Sequence, residues 1–268
     1  MKRISIVLAA MLCMSVCVPI QAATQENTVR VCILDSGCNE ETAKGKNYLD
    51  GSEDLSDEEG HGTLVYQILK ENAPDAEVYV QKCFSDGEAL LHEKENDLSE
   101  TEYIMIQAIY DAVDIYHADI INMSWTLNKE SEKLHKAIQY AAKNKVILVA
   151  AAGNLSFSTK LGSTVYPAAW EEVIGVAGAD LDDSGNPAES LWYLHSDAVF
   201  VSADGNYGNE KGSSFATPRV SAVIARYLTD KQGEKRSPEE VKSYLKSIAF
   251  DAGDEGYDEV FGWGYISQ

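Results

Sequence analysis

Three residue types in this chain can together move a proton and attack a carbonyl: a hydroxyl, an imidazole and a carboxylate. The hydroxyl is Ser214, in Gly212-Ser213-Ser214-Phe215-Ala216-Thr217-Pro218, where small residues crowd around it. Pro218 and the run Arg219 to Ala225 read as the first turns of a helix. A serine on that strand-to-helix turn has backbone N–H groups and the positive helix end beside it. That setting suits attack on a carbonyl and stabilisation of the oxyanion that results. Upstream, Val31-Cys32-Ile33-Leu34-Asp35-Ser36-Gly37 is an apolar strand ending in a carboxylate, and Gly60-His61-Gly62-Thr63 puts a histidine at the opening of a helix. A carboxylate can hold an imidazole in one tautomer while the imidazole takes a proton from the serine. Ser213 is a rival nucleophile by proximity alone.

Asp, then His, then Ser is the chain order of subtilisin. The sequence around each position resembles the subtilisin-like serine proteases, or subtilases: DSG at Asp35, HGT at His61, AAAGN ending at Asn154, and GSSFATP where the family usually has GTSMA-x-P. The resemblance runs from about residue 29 to the end. It implies Asp35, His61 and Ser214 as the triad and Asn154 as a side-chain donor to the oxyanion. It also implies that Ser124, Trp125, Thr126, Ala152 and Gly153 line the path of an extended peptide substrate. Thr126 stands where the family usually has glycine, and Trp125 beside it is expected to narrow or cover a neighbouring subsite. Family members usually have a second histidine where Leu64 stands. An α/β-hydrolase esterase fits poorly, because its triad runs Ser, Asp, His and needs G-x-S-x-G, which is missing around Ser214.

The elements that must position these residues alternate in type. Apolar strands are read at Val78–Phe84, Asp119–Ser124, Val146–Ala151, Val173–Ala177 and Val199–Ala203. Helices are read through Thr63–Lys70, Thr101–Ala118 and Lys133–Lys143, with Ser237-Pro238-Glu239-Glu240 capping a last one through Leu245. Alternation of this kind implies an α/β fold, a mostly parallel central sheet with helices on both faces, in three layers as in subtilisin. Residues 39–59 and 85–100 are polar and acidic and read as solvated loops, the first with room for no more than a weak calcium site. The 85–100 loop would border the substrate cleft. Helix 63–70 runs through Glu71-Asn72-Ala73-Pro74 straight into the next strand, without the calcium loop many subtilisins insert there.

The chain has 268 residues with 43 acidic against 22 basic side chains, which argues against nucleic acid or anionic membrane as partner and mildly favours cationic peptides. Lys2 and Arg3, the apolar run Ile4 to Ile20 and Gln21-Ala22-Ala23 read as a secretory signal over residues 1–23, leaving a peptidase domain at 24–268 with no room for the family's usual pro-region. Cys32, Cys38 and Cys83 remain. A Cys38–Cys83 disulfide is one arrangement and buried free thiols the other. His92, His117, His135 and His195 lack any metal-ligand pattern, with His117 and His135 placed in helices. The expectation is a secreted, monomeric serine endopeptidase acting on peptides or proteins, with no cofactor and no catalytic metal. The alternative is a catalytically idle subtilase-fold protein that binds a basic partner.

Overall fold

The computed structural model describes residues 28–85, 98–156, 159–231 and 236–267. The signal reading at 1–23, His92 and nearly all of the 85–100 loop lie outside them. Strand β1, Arg30–Asp35, shows how the layers are built. Side chains alternate across a strand, so Val31 and Ile33 enter one core layer while Cys32 and Leu34 enter the other. Asp35 falls in phase with Val31 and Ile33, on the same face of the sheet.

β1 lies at the centre of a parallel sheet. Its neighbours are β3 (Glu77–Lys82) with edge strand β2 (Lys44–Asn47) on one side, and β4 (Ile120–Met123), β5 (Ile147–Ala151), β6 (Val173–Leu181) and β8 (Val201–Asp204) on the other. A two-residue β7, Pro187–Ala188, adds antiparallel to the end of β6. On the Asp35 face pack α1 (His61–Asn72), α4 (Ser213–Asp230) and α5 (Pro238–Ile248); on the other pack α2 (Leu98–Asp114) and α3 (Glu132–Lys143). This is the three-layer α/β arrangement expected. A small ribbon, β9 (Asn206–Tyr207) with β10 (Glu210–Lys211), leads into α4.

Several boundaries follow from capping chemistry. Ser131 accepts the Leu134 N–H and opens α3, and Ser237 with Glu240 forms a reciprocal capping box at α5. Helix α2 ends earlier than its apolar spacing suggests. The Tyr116 and Ala118 N–H groups turn back onto the Asp111 and Ala112 carbonyls, and His117 adopts a positive φ of 50° just past the helix end. His117 therefore terminates the helix instead of riding on it. The 39–59 stretch is also more ordered than a solvated loop. Strand β2 pairs with β3 there, and Asn47, Leu55 and Asp57 are buried. Lys44-Gly45-Lys46-Asn47 has no apolar alternation to announce a strand, a composition typical of a sheet edge.

The three cysteines are free and buried. Cys38 packs in the α1/α4 layer and Cys83 in the α2/α3 layer, so the sheet lies between them. Burial pushes all three thiols up, Cys38 to about 11, and none is a thiolate at neutral pH. Among the described residues no helix is long and apolar enough to cross a membrane, and no group of three or more His, Cys, Asp or Glu side chains could hold a metal ion.

Candidate active site

Parallel strands β1, β4 and β5 are adjacent in the sheet, so their carboxyl ends bring Asp35, Ser124 and the Gly153-Asn154 turn to one edge. Helices α1 and α4 begin at that edge, with His61 and Ser213 as their first residues. A cleft there is lined by His61, Ser214, Asn154, Ser124, Trp125 and Thr126, with Gly153 and Ser213 beside them.

Asp35 is fully buried, and the His61 Nδ1–H donates to its Oδ1 at 2.7 Å. A carboxylate only accepts, so the contact places the ring proton on Nδ1 and leaves Nε2 as the basic nitrogen. Burial disfavours the imidazolium. The Asp35 charge and hydrogen bond outweigh it, with Glu59 and Asp57 contributing, and His61 is pushed up to about 9. The Phe215 ring packs on the imidazole, centroids 5.6 Å apart.

What aims this pair is Asp57, a residue the sequence reading left inside an acidic loop. Its Oδ1 accepts from the Ser36 hydroxyl and the Gly60 N–H, both at 2.9 Å. Its Oδ2 accepts from the Thr63 N–H at 2.8 Å and the Thr63 hydroxyl at 2.6 Å. Asn39 binds the Asp57 backbone from both sides. One carboxylate thus ties the turn after Asp35 to the start of the His61 helix. The Ser36 hydroxyl in turn accepts the Gly62 N–H at 2.9 Å. Gly62 has to be glycine, because a Cβ there would lie 2.3 Å from the Gly37 carbonyl oxygen. Burial alone would raise the Asp57 carboxyl, but the Thr63, Ser36 and Gly60 donors win and hold it below the usual carboxylate value. In the sequence Asp57 is one of three consecutive acids, Asp57, Glu58 and Glu59, just before Gly60-His61, and nothing local sets it apart.

The serine side is held by neutral groups. Pro218 has no N–H, so the Ser214 carbonyl four residues earlier lacks its helical partner. The Ser124 hydroxyl donates to that carbonyl at 2.9 Å instead. Ser124 Oγ accepts from Asn122 Nδ2 at 3.0 Å, and Asn122 Oδ1 accepts from Ser221 at 2.9 Å, which closes a polar chain from β4 to the third turn of α4. Asn154 Oδ1 accepts the Ser213 N–H at 2.9 Å. This fixes the amide flip, and Nδ2 stands beside Gly212, 3.3 Å from where a Cβ would be. Ser213 gives its own hydroxyl to other duties: it accepts the Gly153 N–H at 3.2 Å and is buried. The rival nucleophile is therefore a support, and Ser214 is the serine in the cleft with the less buried side chain. Among the described residues no hydrogen bond joins Ser214 Oγ to His61; in uncomplexed sites such contacts are commonly loose and tighten when substrate is bound.

Two expectations change. Trp125 is buried in the α2/α3 layer and its indole N–H donates to the Leu34 carbonyl at 3.1 Å, so it floors the cleft instead of covering a subsite. Ala152 directs its methyl into the same core, and its neighbours Ala151 and Gly153 face the cleft. Thr126 lines the cleft as expected. His135 stacks on Trp170 and pairs with Glu172, and His195 faces the Ser190 carbonyl and Glu189, so both are structural.

The family model for the subtilase family (peptidase S8) matches residues 26–264. The chain belongs to this family and is a subtilisin-like serine protease. It is 31% identical to the major intracellular serine protease of Bacillus subtilis, over 81% of this chain and 74% of that one. It is 28% identical to the minor extracellular protease Epr of the same organism, over 92% of this chain but 39% of that one. The structure of fervidolysin from Fervidobacterium pennivorans, a keratinolytic enzyme related to subtilisin, superposes with a TM-score of 0.74 at 22% identity, covering 90% of this chain and 42% of that one, a likeness of fold.

Proposed function

We propose that the chain is an endopeptidase in which Ser214 Oγ attacks a peptide carbonyl while His61 Nε2 takes the serine proton. The tetrahedral oxyanion is held by Asn154 Nδ2 and the Ser214 backbone N–H at the start of α4. Collapse breaks the C–N bond, and the imidazolium returns its proton to the leaving amine. Water then repeats the cycle on the acyl-serine, releasing the acid and restoring Ser214. Asp35 fixes the ring tautomer and stabilises the imidazolium. The observation that carries the reading is the 2.7 Å His61–Asp35 contact in a cleft shared with Ser214 and an Asn154 amide whose orientation is already fixed.

The proposal extends to export. Lys2 and Arg3, the apolar Ile4–Ile20 and Gln21-Ala22-Ala23 form a signal-peptide pattern, and the family match begins beyond it at residue 26. Relatives carry both intracellular and extracellular in their names, so the pattern supports this reading and kinship does not decide it. The peptidase domain would then be 24–268, with peptides or proteins as substrates.

The test is labelling with a fluorophosphonate probe and mapping of the modified residue. Modification at Ser214 that disappears in His61→Ala supports the triad. Folded protein that does not label would return the reading to an idle binding protein. N-terminal sequencing of the protein from a culture supernatant, with a start near residue 24, tests export; only cell-associated protein with Met1 intact would refute it.

A further inference from the structure

Among the described residues the buried side chains of Asp, Glu, Lys and Arg are those of Asp35, Asp57 and Lys82, and they stand together. Each would be costly to bury alone. Lys82 ends β3 as the registered neighbour of Asp35 on β1. It is in phase with Val78 and Val80, so its side chain lies on the Asp35 face of the sheet. Its ammonium turns to the acidic loop, donating to the Ser56 carbonyl and to Glu58 Oε2, the latter at 3.0 Å. Those two residues flank Asp57. The bond to Lys82 holds the Glu58 carboxyl below its usual value, although Glu58 is largely exposed. One cation fixed in the sheet thus grips the chain on both sides of the carboxylate that ties the Asp35 turn to the His61 helix.

Resting on the peptidase reading above, we infer that Lys82 is a positioning residue for the reaction: it sets the place of Asp57, and through Asp57 the angle at which Asp35 meets His61. A neutral side chain could donate to the Ser56 carbonyl. Only a cation also pairs with Glu58 and offsets the two buried carboxylates beside it. The loop it grips carries Asp50, Glu53, Asp54, Asp57, Glu58 and Glu59, whose mutual repulsion favours opening.

The experiment measures kcat and KM on a fluorogenic peptide, together with the downfield proton resonance of His61 Nδ1–H in protein carrying isotope-labelled histidine. Lys82→Met, similar in length but uncharged, should lower kcat by about 100-fold with KM within about twofold of the parent, because a displaced base harms the chemical step more than binding. Its His61 resonance should shift or broaden. Lys82→Arg keeps the charge and should bring kcat back to within about tenfold of the parent, with the resonance restored. A residue that only stabilises the fold would lower the melting temperature and leave kcat of the folded protein and the resonance as they were. That result in Lys82→Met overturns the inference, and so does Lys82→Arg performing no better than Lys82→Met. If Lys82→Met does not fold, Glu58→Gln decides: it removes one anchor at an exposed position and should lower kcat by about threefold and move the resonance, and parent-like values there overturn the inference. The resonance reads the Asp35–His61 pair whether or not peptides are cleaved, so a parent protein that neither labels with fluorophosphonate nor cleaves defeats the peptidase reading alone.

Discussion

The two halves of the site are held in different ways. The Asp35–His61 half is a knot of charge: the buried Asp57 gathers four donors from Ser36, Gly60 and Thr63, and the buried Asp35 takes the imidazole N–H. Behind it the buried Lys82 donates to the Ser56 carbonyl and pairs with Glu58 at 3.0 Å. The Ser214–Asn154 half uses no charge. Ser124, Asn122, Ser221, Ser213 and Asn154 pass neutral hydrogen bonds from β4 and β5 into α4. The division suits the chemistry. The base needs its proton affinity set, which only charge does strongly, whereas the nucleophile and oxyanion donor need position, which neutral bonds supply without shifting any pKa.

The largest effect should come from removing the nucleophile. Ser214→Ala is expected to lower kcat by on the order of 10⁶, while the melting temperature stays within a few degrees, because the Ser214 contact recorded in the fold is made by its carbonyl. A variant with more than a percent of the activity would move the nucleophile elsewhere. Asp35→Asn breaks the charged half alone and should cost about 10⁴ in kcat/KM. It also shifts the pH profile. With Asp35 present, His61 is raised to about 9, so kcat/KM should climb through the alkaline range as the base loses its proton. Without that charge, burial is left to favour the neutral ring, and the acid limb should move to lower pH. An unmoved limb would mean that Asp35 does not set the base.

The same contrast decides what could be read from the sequence. The three-layer fold, the strand ends and the order Asp35, His61, Ser214 were legible because apolar periodicity and short motifs lie within a few residues of each other. The supports were not. Asp57 looks like any other member of an acidic run until the fold places Ser36 and Thr63 on either side of it. Asn122 sits among strand residues, and its meaning depends on Ser221, 99 residues away. A motif position points Ala152 at the cleft, but strand-end geometry turns its methyl into the core, while Trp125 reaches the cleft only as its buried floor. Strand β2 left no pattern, since an edge strand of Lys, Gly, Lys and Asn buries too little to need one.

Removing a support should separate the halves by stability and by pH. Asp57→Asn keeps the volume but replaces one acceptor oxygen with an NH₂ group that faces donors. We expect a loss of about 3 kcal/mol in denaturant unfolding, with activity falling as the Asp35 and His61 turns come apart. The sign of its pH dependence is fixed. The folded Asp57 carboxyl is depressed, so its contribution is present above the ordinary carboxylate range and lost as pH falls through its lower folded value. His61 works the other way: raised in the folded chain, it stabilises below about pH 6.5 and the gain is gone as pH passes about 9. Unfolding of Asp57→Asn measured from pH 3 to 7 should therefore show a flatter rise in stability than the parent. Parallel curves would show that the knot gains nothing from its charge.

The smallest effect belongs to the neutral half. Ser124→Ala leaves the Ser214 carbonyl without its partner, because Pro218 offers no N–H to replace it. The cost should be about 1–2 kcal/mol, and it should be the same at pH 5 and pH 9, since no group in that chain of bonds titrates between them. Activity should fall by about threefold to tenfold in kcat with little change in KM, as expected when the first turn of α4 loses registry but the cleft walls remain. The kcat/KM profile should keep its shape, because Ser124 touches neither His61 nor Asp35. A shift of the acid limb in Ser124→Ala would show that the halves are electrostatically coupled after all, and that the division of labour between charge and position does not hold.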